Sequence, residues 1–136
     1  MSLGINKFKI VRGFLQGELL EFLGLYAFNN ASRPDAIPTK ETRGFVDDQI
    51  PNTPAWHNDP VMWNLMCYLC PDVEKYTGKK LIAAYSYLRV YKKGDELKRH
   101  IDRSACEFSV TLTLKRHPSD DIWPIYLESD KIYRVS

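Results

Sequence analysis

Hydrophobic spacing divides this chain into a helical half and an extended half. The segment "FKIVRGFLQGELLEFLGLYAFNN" opens on a short apolar strand signal and then places Leu19, Leu20, Phe22, Leu23 and Tyr26 at helical spacing. Residues so spaced share one face of a helix, and Asn29 and Asn30 supply its stop. Residues 31–54 read differently, because four prolines punctuate a polar stretch. That composition predicts a long irregular loop, a kind that often carries function. Asn58 or Asp59 then caps a second helix, with Pro60 in its first turn, running to about Leu69 or beyond. A further helical turn over "PDVEKYTG" ends at Gly78.

Past Gly78 the period changes to two. "LIAAYSYLRVYKK" sets Ala83, Tyr85, Tyr87, Arg89 and Tyr91 on one face, with Ile82, Ala84, Ser86, Leu88 and Val90 on the other. "CEFSVTLTLK" alternates more cleanly, Cys106, Phe108, Val110, Leu112 and Leu114 facing one way. "IWPIYLE" predicts a third strand, its Pro124 marking an edge or bulge, and "KIYRV" a fourth. Helices first and strands last predict an α+β fold, with helices on one face of an antiparallel sheet. At 136 residues the chain is a single domain, 1–78 mainly helical support and 79–136 β-rich. The sheet pattern runs up to "YRVS" without a closing turn, which predicts a β fold incomplete at its C-terminal end.

Composition narrows the class. With 44% hydrophobic and 26% charged residues the chain reads as a water-soluble globular protein. No stretch approaches the ~20 apolar residues of a membrane span, and the N-terminus lacks a signal-peptide core, so a cytoplasmic location and no membrane partner are expected. A net charge of +2 is too small to argue for nucleic acid. The cations Arg89, Lys92, Lys93, Lys98, Arg99 and Arg103 nevertheless crowd one stretch, diluted by Asp95 and Glu96. They read either as a solvated hairpin edge or as a positive field for a small anion. Three cysteines argue against a disulfide framework; Cys67 and Cys70 have the CxxC spacing of zinc and redox sites, but fall on a helix and read by default as buried thiols.

The stretch "YKKGDELKRHIDR" carries the sharpest chemistry. On extended backbone His100 and Asp102 project from one face, with Ile101 turned away. An imidazole and a carboxylate so placed supply two of the three corners of a 2-His-1-carboxylate triad, which leaves open positions on Fe(II). H-x-D alone reads first as an exposed ion pair at a strand end, His100 with Asp102 or Glu96, and only the flanking pattern reverses that reading.

The wider pattern Y-x-x-G-x-x-L-x-x-H-x-D, formed by Tyr91, Gly94, Leu97, His100 and Asp102, resembles the first metal-ligand strand of Fe(II)/2-oxoglutarate dioxygenases, in particular the prolyl 4-hydroxylase-like branch. "CEFSVTLTL" and "WPIYLE" resemble later strands of that family, and "KFKIVRGFLQGELLEFL" its opening strand and helix. The resemblance implies N-terminal helices packed on an antiparallel double-stranded β-helix, or jelly roll. It implies Fe(II) held by His100 and Asp102, with 2-oxoglutarate and O₂ as cosubstrates and hydroxylation of a C–H bond, for instance on prolyl peptide. Tyr91 matches an aromatic position that meets the 2-oxoglutarate carboxylates; Tyr85, Tyr87 and Thr113 are further cosubstrate-binding candidates. The family's second histidine and its cosubstrate-binding Arg or Lys have no match here; His117 lies in the "KRHPSDD" turn and His57 at a helix entry. Three readings follow. The first is an incomplete hydroxylase. The second is a non-catalytic relative that binds a partner or forms a homodimer through an exposed sheet edge, His117 being the only donor a second copy offers from this sheet. The third is a metal or redox module on Cys67 and Cys70.

Overall fold

A computed structural model describes residues 7–33, 49–50, 53–128 and 132–135. The described elements are, in order, α1 (Gly17–Ser32), β1 (Ala55–His57), α2 (Pro60–Thr77), β2 (Tyr87–Arg89), β3 (Ile125–Glu128) and β4 (Ile132–Val135). The strands form two separate two-stranded antiparallel sheets, β1 with β2 and β3 with β4.

The helices start and stop as their sequences dictate. Asp59 caps α2 by accepting hydrogen bonds at Oδ1 from the N–H groups of Val61 (2.9 Å) and Met62 (3.1 Å), and Pro60 follows where its missing N–H costs nothing. At the far end Gly78 takes a left-handed φ of 70° and donates its N–H to Glu74 O. One helix spans the residues where the pattern suggested a helix and a further turn, with Pro71 inside it. α1 begins after Gln16, which makes no side-chain cap, and runs to Ser32, two residues beyond the predicted asparagine stop.

The core gathers where the two helices meet the first sheet. Leu23 and Ala27 of α1, Met62 of α2, Trp56 of β1 and Leu88 of β2 form one buried cluster, joined at its margin by Leu114 and Val90. Apolar side chains removed from water there supply the main drive for collapse. A hydrogen bond from Tyr26 Oη to Asp59 Oδ2 (2.7 Å) ties α1 to the cap of α2. Asn58 extends the β1–β2 ladder beyond its end: its N–H donates to Ser86 O, and its Oδ1 accepts from Ser86 N, both at 2.9 Å.

Among the described residues the jelly roll implied by the resemblance is not formed. The described strands are only three or four residues long and make two isolated pairs rather than two facing sheets. Cys106–Lys115, the cleanest alternation in the sequence, follows an irregular path. Alternation makes a strand only when a neighbouring strand accepts its hydrogen bonds, and here Val110 stays 57% exposed. Within Leu81–Lys93 only Tyr87–Arg89 enters a ladder, and Ile82 is 95% exposed. β3 starts at Ile125, directly after Pro124, since a proline N cannot donate to a ladder. The opening strand signal at Phe8–Ile10 is irregular, and β1 appears where the loop and helix entry were expected. Of the long loop at 31–54, residues 31–32 belong to α1, while 34–48 and 51–52 lie outside the described residues. No helix among the described residues is long and apolar enough to cross a membrane.

Candidate metal site

A tight turn leads into the site. Asp95 N donates to Lys92 O (3.0 Å), and Gly94 between them has a φ of 93°, a conformation that favours glycine. The Asp95 carboxylate fixes this turn to the core, accepting from Lys92 N and from the buried Thr53 hydroxyl, both at 2.7 Å. Burial works to raise the Asp95 carboxyl, but the Lys92 N–H, the Thr53 hydroxyl and the Lys92 and Arg89 charges together hold it below the ordinary aspartate value.

From the turn the chain passes without a ladder through Arg99, His100 and Asp102. Arg99 makes a two-pronged ion pair with Glu128 of β3, Nε to Oε2 and Nη2 to Oε1 (3.0 Å), which anchors the segment to the second sheet. That pairing holds the Arg99 guanidinium above, and the Glu128 carboxyl below, their ordinary values.

His100 and Asp102 converge, although no strand forms. His100 Nε2 lies 3.5 Å from Asp102 Oδ1, and Ile101 between them is 96% exposed. The outer atoms of both side chains are already engaged. His100 Nδ1 lies 2.8 Å from Lys98 O, a contact that requires a proton on Nδ1 because a carbonyl can only accept. Asp102 Oδ2 accepts from the Ser109 hydroxyl at 2.6 Å. The two inner atoms, Nε2 and Oδ1, therefore face each other with their ring and carboxylate orientations fixed from behind.

That donor set fits two adjacent positions on a divalent ion. Cis ligands each about 2.1 Å from a metal stand about 3.0 Å apart, so the observed 3.5 Å needs only a small closure. A metal-bound histidine ordinarily donates its second N–H to a carbonyl or carboxylate, the arrangement that Lys98 O provides. A third donor does not join them: among the described residues no group of three or more His, Cys, Asp or Glu side chains is placed to hold a metal.

The cosubstrate candidates separate in space. Tyr85 meets the segment just past the pair. Its hydroxyl lies within hydrogen-bond reach of Cys106 Sγ at 3.1 Å, and the Arg103 guanidinium lies 5.8 Å from its ring centroid. The Cys106 hydrogen bond, burial and the nearby charge of Asp102 push the Tyr85 hydroxyl above its ordinary value, against the pull of Arg103. Tyr91 lies instead against Trp123, with ring centroids 6.2 Å apart. Tyr87 sits between His57 and Arg89, and Thr113 is exposed in the irregular stretch. His57 packs on Tyr85 at 5.3 Å, and His117 occupies an exposed turn. On α2, Cys67 is exposed rather than buried, and Cys70 donates weakly to Leu81 O at 3.9 Å.

Ser109, Lys98 O and Glu128 are the supporting groups that sequence reasoning missed. Ser109 carried one visible signal, since it lies on the polar side of "CEFSVTLTL". The Arg99–Glu128 contact joins residues 29 apart and left no trace in the local pattern. Comparison with family models, with curated proteins and with solved structures finds no match to this chain.

Proposed function

We propose that His100 and Asp102 are two protein ligands of an Fe(II) centre of the 2-oxoglutarate-dependent oxygenase kind, which hydroxylates a C–H bond of a protein or peptide, prolyl peptide being one candidate. The observation that carries this reading is the facing of His100 Nε2 and Asp102 Oδ1 at 3.5 Å, each backed by its own hydrogen bond, inside the Y-x-x-G-x-x-L-x-x-H-x-D pattern. Bound there, Fe(II) with 2-oxoglutarate and O₂ would supply the oxidising chemistry. The chain's residues do the positioning. The contact from Nδ1–H to Lys98 O keeps a proton on Nδ1, so that in the neutral ring Nε2 carries the lone pair, and Ser109 leaves Oδ1 as the free carboxylate oxygen. The Arg99–Glu128 fork keeps this segment on β3. Among the tyrosines, Tyr85 supports a cosubstrate contact through its place beside Cys106 and Arg103, the segment just past the pair. Free thiols at Cys67, Cys70 and Cys106 support a cytoplasmic location.

The two-donor set also supports a second reading, a non-catalytic chain that binds a partner or a second copy, because no third ligand joins the pair among the described residues. Anaerobic titration of Fe(II) with 2-oxoglutarate present tests the metal reading through the visible charge-transfer band of the chelate. A saturable band is expected, absent in His100→Ala and shifted to about tenfold higher iron in Ser109→Ala. No band in the parent protein contradicts the proposal. A band without succinate formation on admitting O₂ favours the second reading.

A further inference from the structure

The structure assembles residues distant in sequence into one ladder of rings and guanidinium groups. Arg103 lies over Tyr85 (5.8 Å), Tyr85 packs on His57 (5.3 Å), and His57 meets Tyr87 (6.4 Å). Arg89 lies over both Tyr87 (5.2 Å) and Tyr91 (5.8 Å), and Tyr91 packs on Trp123 (6.2 Å). Positions 85, 87, 89 and 91 share a face of the β2 strand region by simple alternation; His57, Arg103 and Trp123 come from elsewhere. Tyr87, Tyr91 and Trp123 keep 38%, 40% and 43% of their surface exposed.

We infer that this ladder is a binding surface for single-stranded nucleic acid. Unpaired bases stack on aromatic rings and on guanidinium planes, and a strand of phosphates follows a run of cations. Net charge does not describe how the local charges are placed: the nearby carboxylates are turned toward partners within the chain, while three cations are left to meet phosphates. Asp95 is held by Thr53 and Lys92, Glu128 by Arg99, Asp102 by Ser109, and Asp121 Oδ2 accepts from the Trp123 indole N–H. Lys93, Lys98 and Arg103 have no carboxylate partner among the described residues. A duplex hides its base faces, so the surface selects single strands. Binding requires no metal, and it is tested without one, although Tyr85, Tyr87 and Tyr91 are also the cosubstrate candidates of the oxygenase reading.

The test is fluorescence anisotropy of labelled oligouridylate and oligothymidylate with the metal-free full chain, a hairpin duplex serving as competitor. Saturable binding to a single strand is expected, weakened by salt and poorly competed by the duplex; the two probes tell whether RNA or DNA is preferred. Tyr87→Ala with Tyr91→Ala should weaken it by at least about tenfold, since one stacked base contributes about 1–3 kcal/mol. Tyr68→Ala, which removes an exposed ring on α2 outside the ladder, should leave it unchanged. If the double variant fails to fold by circular dichroism, Trp123→Ala carries the same expectation. No binding at low salt overturns the inference, and so does binding that the ladder variants leave intact, since that would be charge alone.

Discussion

Asp59 holds the start of α2 and the body of α1 with one carboxylate, so its removal should disturb two elements at once. Oδ1 caps α2 through Val61 N and Met62 N, and Oδ2 accepts from Tyr26 Oη at 2.7 Å. Asp59→Ala deletes a cap worth about 1 kcal/mol. It also strands the half-buried Tyr26 hydroxyl, which costs about 1 kcal/mol more. The expected loss is about 2 kcal/mol, a large part of a small domain's stability. Tyr26→Phe should cost about 1 kcal/mol, and the double variant less than the sum, with a coupling of about 1 kcal/mol. Equilibrium urea unfolding followed by circular dichroism and by fluorescence reads these values. Burial, the Asp59 hydrogen bond and the Asp59 charge push the Tyr26 hydroxyl from 10.0 up to about 12. The folded state therefore favours the neutral hydroxyl. Its contribution is complete below pH 10.0 and is lost as pH rises through about 12, a loss that Tyr26→Phe should abolish. A coupling near zero, or Asp59→Ala as stable as the parent, would refute the reasoning.

Two further expectations follow from close contacts. A Cβ at Gly24 would stand 2.9 Å from Lys115 Cβ and 3.1 Å from Leu114 O, so Gly24→Ala should lower the melting temperature despite alanine's helix preference of about 1 kcal/mol; a higher melting temperature would contradict the packing of α1 on 114–115. Asp95→Ala removes the acceptor of the buried Thr53 hydroxyl, leaving it the 3.3 Å contact from Lys92 Nζ, and should cost about 1 kcal/mol at neutral pH. Because the folded Asp95 carboxyl is depressed, its contribution is present above the ordinary value of 3.8 and fades as pH falls through the lower folded value, so parent and variant should converge in acid unfolding curves.

Local chemistry was legible in the sequence, and pairing was not. The cap at Asp59, Pro60 in the first turn and Gly78 at the end of α2 act within a few residues and could be read directly. So could the nearness of His100 and Asp102, two residues apart in sequence. The alternation of Cys106–Lys115 predicted a strand that has no ladder, because alternation specifies a face and not a partner. β1 was hidden beside the proline-rich segment since its partner, β2, lies about thirty residues on, and pairing at that range leaves no local pattern. The same distance concealed the Arg99–Glu128 fork and the ladder from Arg103 to Trp123. Pro71 lies within α2, and the helix continues past it to the glycine cap.

The central claim, that His100 Nε2 and Asp102 Oδ1 together hold a divalent ion, is tested most directly by nitrogen NMR of protein labelled in its histidine rings. Zn(II) serves as a diamagnetic stand-in for Fe(II). The account predicts that His100 Nε2 moves to a metal-bound shift while Nδ1 keeps its proton on Lys98 O, and that Asp102→Asn weakens the change. A His100 ring that does not respond to Zn(II), or one metallated at Nδ1, would contradict it.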